Sequence, residues 1–226
     1  MEIKAVIFDV GGVIQESPLA FLKEFEARND LPDGFFAGLV GNYAARPDGA
    51  WQRLERGEIL LDELCRIFDS EIANLGYSVS TAAMMLEMAD YVVIRPRMLE
   101  AVRRIRAHGL RTAALTNNWL MEGKDLEREA LMDRFDAFIE SCRTGFRKPD
   151  PRIYELTCEA LEVLPGEAAF LDDIGANLKT AARLGMLTIK VEDPDEALRE
   201  LGEAIGIELV DRPPAADSGP GKEAHE

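Results

Sequence analysis

Four small polar clusters, far apart in the chain, each sit where an apolar run or a turn ends. They are Asp9 in FDVGGV, Thr116-Asn117 in LTNN, Lys148 in RKPDP, and Asp172-Asp173 with Asn177 in FLDDIGAN. Three carboxylates brought to one point repel one another unless a cation joins them. A hard divalent ion with oxygen ligands, Mg²⁺ above all, meets that need. Lys148, with Thr116 and backbone amides, can then hold an anionic group against Asp9. A carboxylate so placed is able to act as a nucleophile and form a covalent intermediate.

Each cluster also has a plainer reading. Asp9 can cap a turn, Thr116-Asn117 can be a strand-end turn, and Lys148 can be a solvated residue at a helix start. Asp172-Asp173 can cap the following helix. What favours the chemical reading is that the surrounding elements carry all four clusters to one edge. Ile3–Phe8 reads as a strand buried on both faces, running into Asp9 and the turn-forming Gly11-Gly12. Leu110–Leu115, Asp136–Glu140, Ala168–Leu171 and Leu187–Val191 read as four more strands. Helices separate them, one opening at Pro151 and one at Asp193-Pro194. Repeated βα units predict a doubly wound parallel sheet, whose strand carboxyl ends share one edge where ligands bind.

Between Ser17 and about Ile94 the pattern is helical throughout. Ser17-Pro18 is a helix start, and apolar positions run from Leu19 through Ile67-Phe68 to Met84, Met85, Leu86 and Met88. Methionines at this density read as core filler. The expected organisation is an α/β core of residues 1–16 and 95–210, an inserted helical cap at 17–94, and a disordered tail at 211–226.

Composition narrows the function. A net charge of −16 argues against nucleic acid and anionic membranes as partners. It also makes an anionic substrate depend on a local cation. Three cysteines without metal spacing, and only two histidines, argue for reduced thiols and against a His-ligated zinc site. The early apolar run is interrupted by Asp9, and no stretch approaches a membrane span, so a cytoplasmic location is expected. Packing, or support of the site residues from behind, is the expected role of Cys142, Cys158, Trp119 and Tyr154. Oligomeric state, monomer or homodimer, is left open.

The four clusters resemble, motif by motif and in order, those of the haloacid dehalogenase superfamily. More narrowly, LTNNW, IESCRTG, KPDPRIY and FLDDIGANL are similar to the N-terminal phosphatase domain of soluble epoxide hydrolase. They are equally similar to the related domain fused to some acyl-CoA dehydrogenases. The resemblance implies a Rossmann-like core with a helical cap. It makes Asp9 the nucleophile and a Mg²⁺ ligand, with the Gly11 carbonyl, Asp173 and, directly or through a neighbour, Asp172. It assigns Thr116, Asn117 and Lys148 to the transferring phosphoryl group of a small phosphorylated substrate, and Asn177 to the metal loop.

One position departs from the pattern. Family phosphatases usually carry a second Asp two residues after the nucleophile, where this chain has Gly11. That Asp protonates the leaving group and then activates water, help worth ~10²–10⁴-fold. Three readings follow: a substrate with a good leaving group such as an acyl phosphate, another carboxylate (Asp172 or Glu16) in the role, or a phospho-ligand-binding module with little turnover. A dehalogenase-type hydrolase is a further alternative, because those members also lack the second Asp.

Overall fold

The computed structural model describes residues 2–41, 48–91, 93–120 and 125–210, with side chains left aside at 125–127. The expected disorder of 211–226 falls outside the described residues.

Five parallel strands form one sheet: β1 (Ala5–Phe8), β2 (Arg111–Thr116), β3 (Ala137–Glu140), β4 (Ala168–Asp172) and β5 (Leu187–Lys190), in the order β3-β2-β1-β4-β5. The fold is thus the doubly wound α/β arrangement expected from the alternation of elements. β1 lies at the centre, and all four of its residues are fully buried. Its side chains alternate between faces as the two-residue strand period requires. Val6 and Phe8 join one apolar layer with α6 (Pro96–Ala107) and α11 (Pro194–Ile205). Ala5 and Ile7 join the opposite layer with α9 (Pro151–Leu161) and α10 (Gly175–Arg183). A single strand thereby nails both layers together, which fixes the residue that follows it.

Local signals set the helix ends. Asp150 and Asp193 each precede a proline, and their carboxylates accept backbone N–H bonds from Arg152 and Glu196. Each satisfies one of the orphan donors of a helix start. Pro18 is already in a helical conformation at the entry to α1 (Leu19–Arg28), with Ser17 Oγ 3.4 Å from the Leu19 nitrogen.

Between β1 and α6 lie α1 and four further helices, α2 (Phe35–Val40), α3 (Ala50–Glu55), α4 (Leu61–Asn74) and α5 (Thr81–Asp90). They pack around an apolar cluster of their own that includes Phe21, Phe25, Phe36, Phe68 and Ile72. Met84, Met85 and Met88 fill that cluster, whereas Leu86 turns 67% exposed to solvent. The chain enters and leaves this unit side by side: Glu16 donates to the Val93 carbonyl and Arg95 to that of Ile14. α7 (Asp125–Met132), the short α8 (Ser141–Thr144) and a 3₁₀ turn at Pro165–Glu167 complete the elements among the described residues. Among the described residues no helix is long and apolar enough to cross a membrane.

Candidate active site

All four polar clusters converge at the carboxyl edge of the sheet. Asp9 directly follows β1, and its N–H bonds the Leu171 carbonyl of β4 at 2.9 Å, which extends the ladder by one residue. Both Asp9 and the β4 terminus Asp172 are buried. Lys148, only 1% exposed, lies between them, with Nζ 2.7 Å from Asp9 Oδ1 and 2.8 Å from Asp172 Oδ2. Burial pushes the Asp9 carboxyl well above its usual range; Lys148 opposes that rise and Asp172 adds to it. Burial alone would lower Lys148, but the two aspartates outweigh it and hold the ammonium above the ordinary lysine value.

The two members of the Asp172-Asp173 pair do different work. Asp172 accepts Lys148 Nζ, the Ile174 N–H and the Asn177 amide, so both of its oxygens are engaged. Asn177 is held in turn through its carbonyl, which accepts the Tyr154 hydroxyl at 3.0 Å. Asp172 therefore orients Lys148 and has no proton-transfer geometry to spare. Asp173 differs: its Oδ1 is buried and makes no hydrogen bond among the described residues. Burial first, and Asp172 second, raise the Asp173 pKa.

One oxygen each of Asp9, Asp172 and Asp173 lies within 4.8 Å of the others. Buried carboxylate oxygens, one of them without a partner, are the donor set a hard divalent cation takes. Asp9 and Asp173 could hold it directly, with Asp172, whose oxygens are engaged by its neighbours, beside them.

The two glycines are not equivalent. Gly12 has φ +81°, and a Cβ there would stand 2.3 Å from Asp173 Oδ2. It must be glycine for Asp173 to reach the edge. At Gly11 an added Cβ meets nothing within 4 Å, so the missing carboxylate of this position is absent by residue type and not by lack of room.

Thr116 ends β2, is buried, and lies one strand over from Asp9. The Asn117 side chain instead clamps the Lys148 backbone: its Oδ1 accepts the Lys148 N–H at 2.8 Å and its Nδ2 donates to the Lys148 carbonyl at 3.0 Å. Any contact of Asn117 with a bound anion thus falls to its backbone. Glu16 is exposed in the connection to the helical unit. Of the residues assigned to packing, Tyr154 and Cys158 lie in the core, Cys142 contacts Asn118, and Trp119 meets Trp51 edge to face.

Residues without a sequence signal complete the site. Arg95 ties down the Asp9 loop by donating to the Gly12 carbonyl at 2.6 Å. Buried Glu55 of α3 pairs with buried Arg147, next to Lys148, at 2.6 Å. Neither partnership shows as a local pattern, because the residues are about ninety apart.

The model of haloacid dehalogenase-like hydrolases matches residues 3–185. The chain belongs to that family. It is therefore a hydrolase of the haloacid dehalogenase type, as its motifs implied. It is 40% identical over 210 residues to mouse (Mus musculus) acyl-CoA dehydrogenase family member 10, covering 91% of this chain and 19% of that protein. It is 33% identical over 241 residues to rat (Rattus norvegicus) bifunctional epoxide hydrolase 2, covering 100% of this chain and 43% of that protein. The chain thus spans less than half the length of either relative. Among solved structures, a family enzyme from Bacteroides thetaiotaomicron, in complex with magnesium and inorganic phosphate, superposes with a TM-score of 0.61. It is 23% identical, and the match covers 84% of this chain and 96% of that one.

Proposed function

We propose that this hydrolase is a Mg²⁺-dependent phosphatase acting on a small phosphate ester or acyl phosphate, through an aspartyl-phosphate on Asp9. The observation that carries this reading is the Asp9–Lys148–Asp172 chain beside the unpartnered Asp173. The phosphate and magnesium of the Bacteroides thetaiotaomicron enzyme support it.

The hydrogen bonds on Asp9 fall on Oδ1, from the Val10 N–H and Lys148 Nζ, which aims Oδ2 at an incoming phosphorus. Attack forms the Oδ2–P bond as the ester P–O bond breaks, and the leaving group departs with the electron pair. Water then adds to phosphorus as the Oδ2–P bond breaks, the electron pair returns to the Asp9 carboxylate, and the protons of the water leave on the departing phosphate or to solvent. Lys148 opposes the protonation of Asp9 that burial favours and offers positive charge to the phosphoryl oxygens, and Thr116 supplies a hydroxyl donor. Mg²⁺ held by Asp9, Gly11 and Asp173 would supply charge neutralisation for the dianionic group. Residues 17–94 serve as a cap over the core formed by 1–16 and 95–210, excluding water and selecting substrates.

With Gly11 in place of the acid, the preferred substrates carry leaving groups that depart unprotonated. Acyl phosphates and activated esters should outpace simple alkyl phosphates. A panel of both, assayed for phosphate release in Mg²⁺ and in EDTA, tests the proposal. Mg²⁺-dependent release graded by leaving group is expected. Halide release from short haloacids that persists in EDTA would favour a dehalogenase. Mg²⁺ and phosphate binding without any release would favour a ligand-binding module, the reading to which Gly11 lends weight.

A further inference from the structure

Every residue of the helical unit singled out here against the core comes from one short helix and its turn. Trp51 and Glu55 stand four apart on α3, hence on one face, and Gly57 follows in the turn. Trp51 packs edge to face on Trp119, centroids 5.4 Å apart, just beyond Thr116-Asn117. Glu55 pairs with Arg147, both buried. Gly57, at φ +70°, presses so close to the Cys142 carbonyl that a Cβ would sit 2.3 Å from it. The core partners all belong to segments that frame Lys148.

We infer that the Glu55–Arg147 pair is a latch that couples seating of the helical unit to placement of Lys148, making both positioning residues of the phosphoryl site. Arg147 precedes Lys148, and that backbone is held on its other side by the Asn117 clamp. The Lys148 side chain must thread between Asp9 and Asp172 with both contacts under 3 Å. The Asp150 N–H also holds the Arg147 carbonyl at 2.8 Å, and Glu55 adds the anchor that reaches across the seam from the helical unit. When α3 lifts away, Arg147 loses its ion pair with Glu55 and Lys148 loses the support that comes from the helical unit. Substrate bound in the closed state therefore finds Lys148 in place, and product leaves from an open state in which that charge is loosened. This rests on the phosphatase reading for its kinetic consequences but not for its structural ones.

The chain has two tryptophans, Trp51 and Trp119, and they face each other across this seam. Intrinsic emission thus reports the latch directly. Arg147→Met and the double variant Glu55→Gln/Arg147→Met separate a latch from mere packing. Losing one partner leaves a buried charge unpaired, whereas replacing both removes that penalty, so the double variant should regain thermal stability lost in the single one. A latch predicts that kcat/KM nonetheless stays down about tenfold or more in both variants. It also predicts red-shifted tryptophan emission and faster amide exchange over residues 56–58 in both. Parent-like kcat/KM, emission and exchange in the double variant would overturn it. If the parent releases no phosphate, the phosphatase reading fails, and emission and exchange alone decide the latch: unchanged values reject it and opened values sustain it.

Discussion

Lys148 Nζ stands 2.7 Å from Asp9 Oδ1 and 2.8 Å from Asp172 Oδ2, one buried cation neutralising two buried anions from adjacent strands. This arrangement ties folding to chemistry, since the same ammonium that counters the protonation of buried Asp9 also relieves the repulsion between the strand ends. Lys148→Met leaves two carboxylates without their cation. It should cost ~3–5 kcal/mol of stability and remove turnover together, read by urea denaturation and phosphate release. Asp172→Asn, which keeps the Asn177 and Ile174 contacts in part, should cost less stability.

Mg²⁺ should stabilise the protein in proportion to its occupancy. At a hundredfold excess over Kd the linkage is ~2.7 kcal/mol, a rise of ~5–10 °C in Tm. Asp173→Asn should abolish most of that rise while leaving the metal-free Tm equal or higher, because it removes the charge of a carboxylate that has a buried, unpartnered oxygen and lies beside Asp9 and Asp172. Differential scanning calorimetry with and without Mg²⁺ checks both statements.

The two glycines after Asp9 should respond in opposite ways. Gly11→Asp has open space at its Cβ and places a carboxylic acid two residues after the nucleophile. A gain of ~10²–10⁴-fold on alkyl phosphates is expected, with little change for acyl phosphates. Gly12→Ala must adopt a positive φ and strike Asp173, so it should lose ~1–3 kcal/mol and weaken Mg²⁺ binding. Steady-state kinetics and Mg²⁺ titration separate the two.

Acid stability has an identifiable source away from the site. Burial would raise Glu140, but Arg128, Asn118 and Arg143 outweigh it and hold the carboxyl below its ordinary 4.5. A carboxyl lowered in the folded state contributes stability above pH 4.5, and that contribution disappears as pH falls through the folded value. Glu140→Gln should flatten the loss of urea midpoint between ~pH 6 and ~pH 3, measured against the parent.

The strands and the residues at their ends were legible because each is a local pattern: an apolar run, a polar stop, then a helix start. Asp9, Thr116, Lys148 and Asp172-Asp173 were found that way, and the parallel sheet followed from their alternation. The roles within the site were not legible. Nothing local distinguishes Asp172, saturated by three partners, from Asp173, which has a bare oxygen. Nothing local shows that the Asn117 side chain is spent on the Lys148 backbone, which leaves its main chain for a bound anion. Glu55 and Arg147 carry no local signal of their burial, since burial of a charged residue is decided by partners distant in sequence. Leu86, conversely, follows the apolar pattern and faces solvent.

The central claim is that Asp9 is the nucleophile of a metal-dependent phosphoryl transfer. Phosphate release by Asp9→Asn, compared with the parent in Mg²⁺ on the best substrate of the panel, tests it most directly. The account predicts release at background with the fold intact by circular dichroism. Substantial release by Asp9→Asn would contradict it.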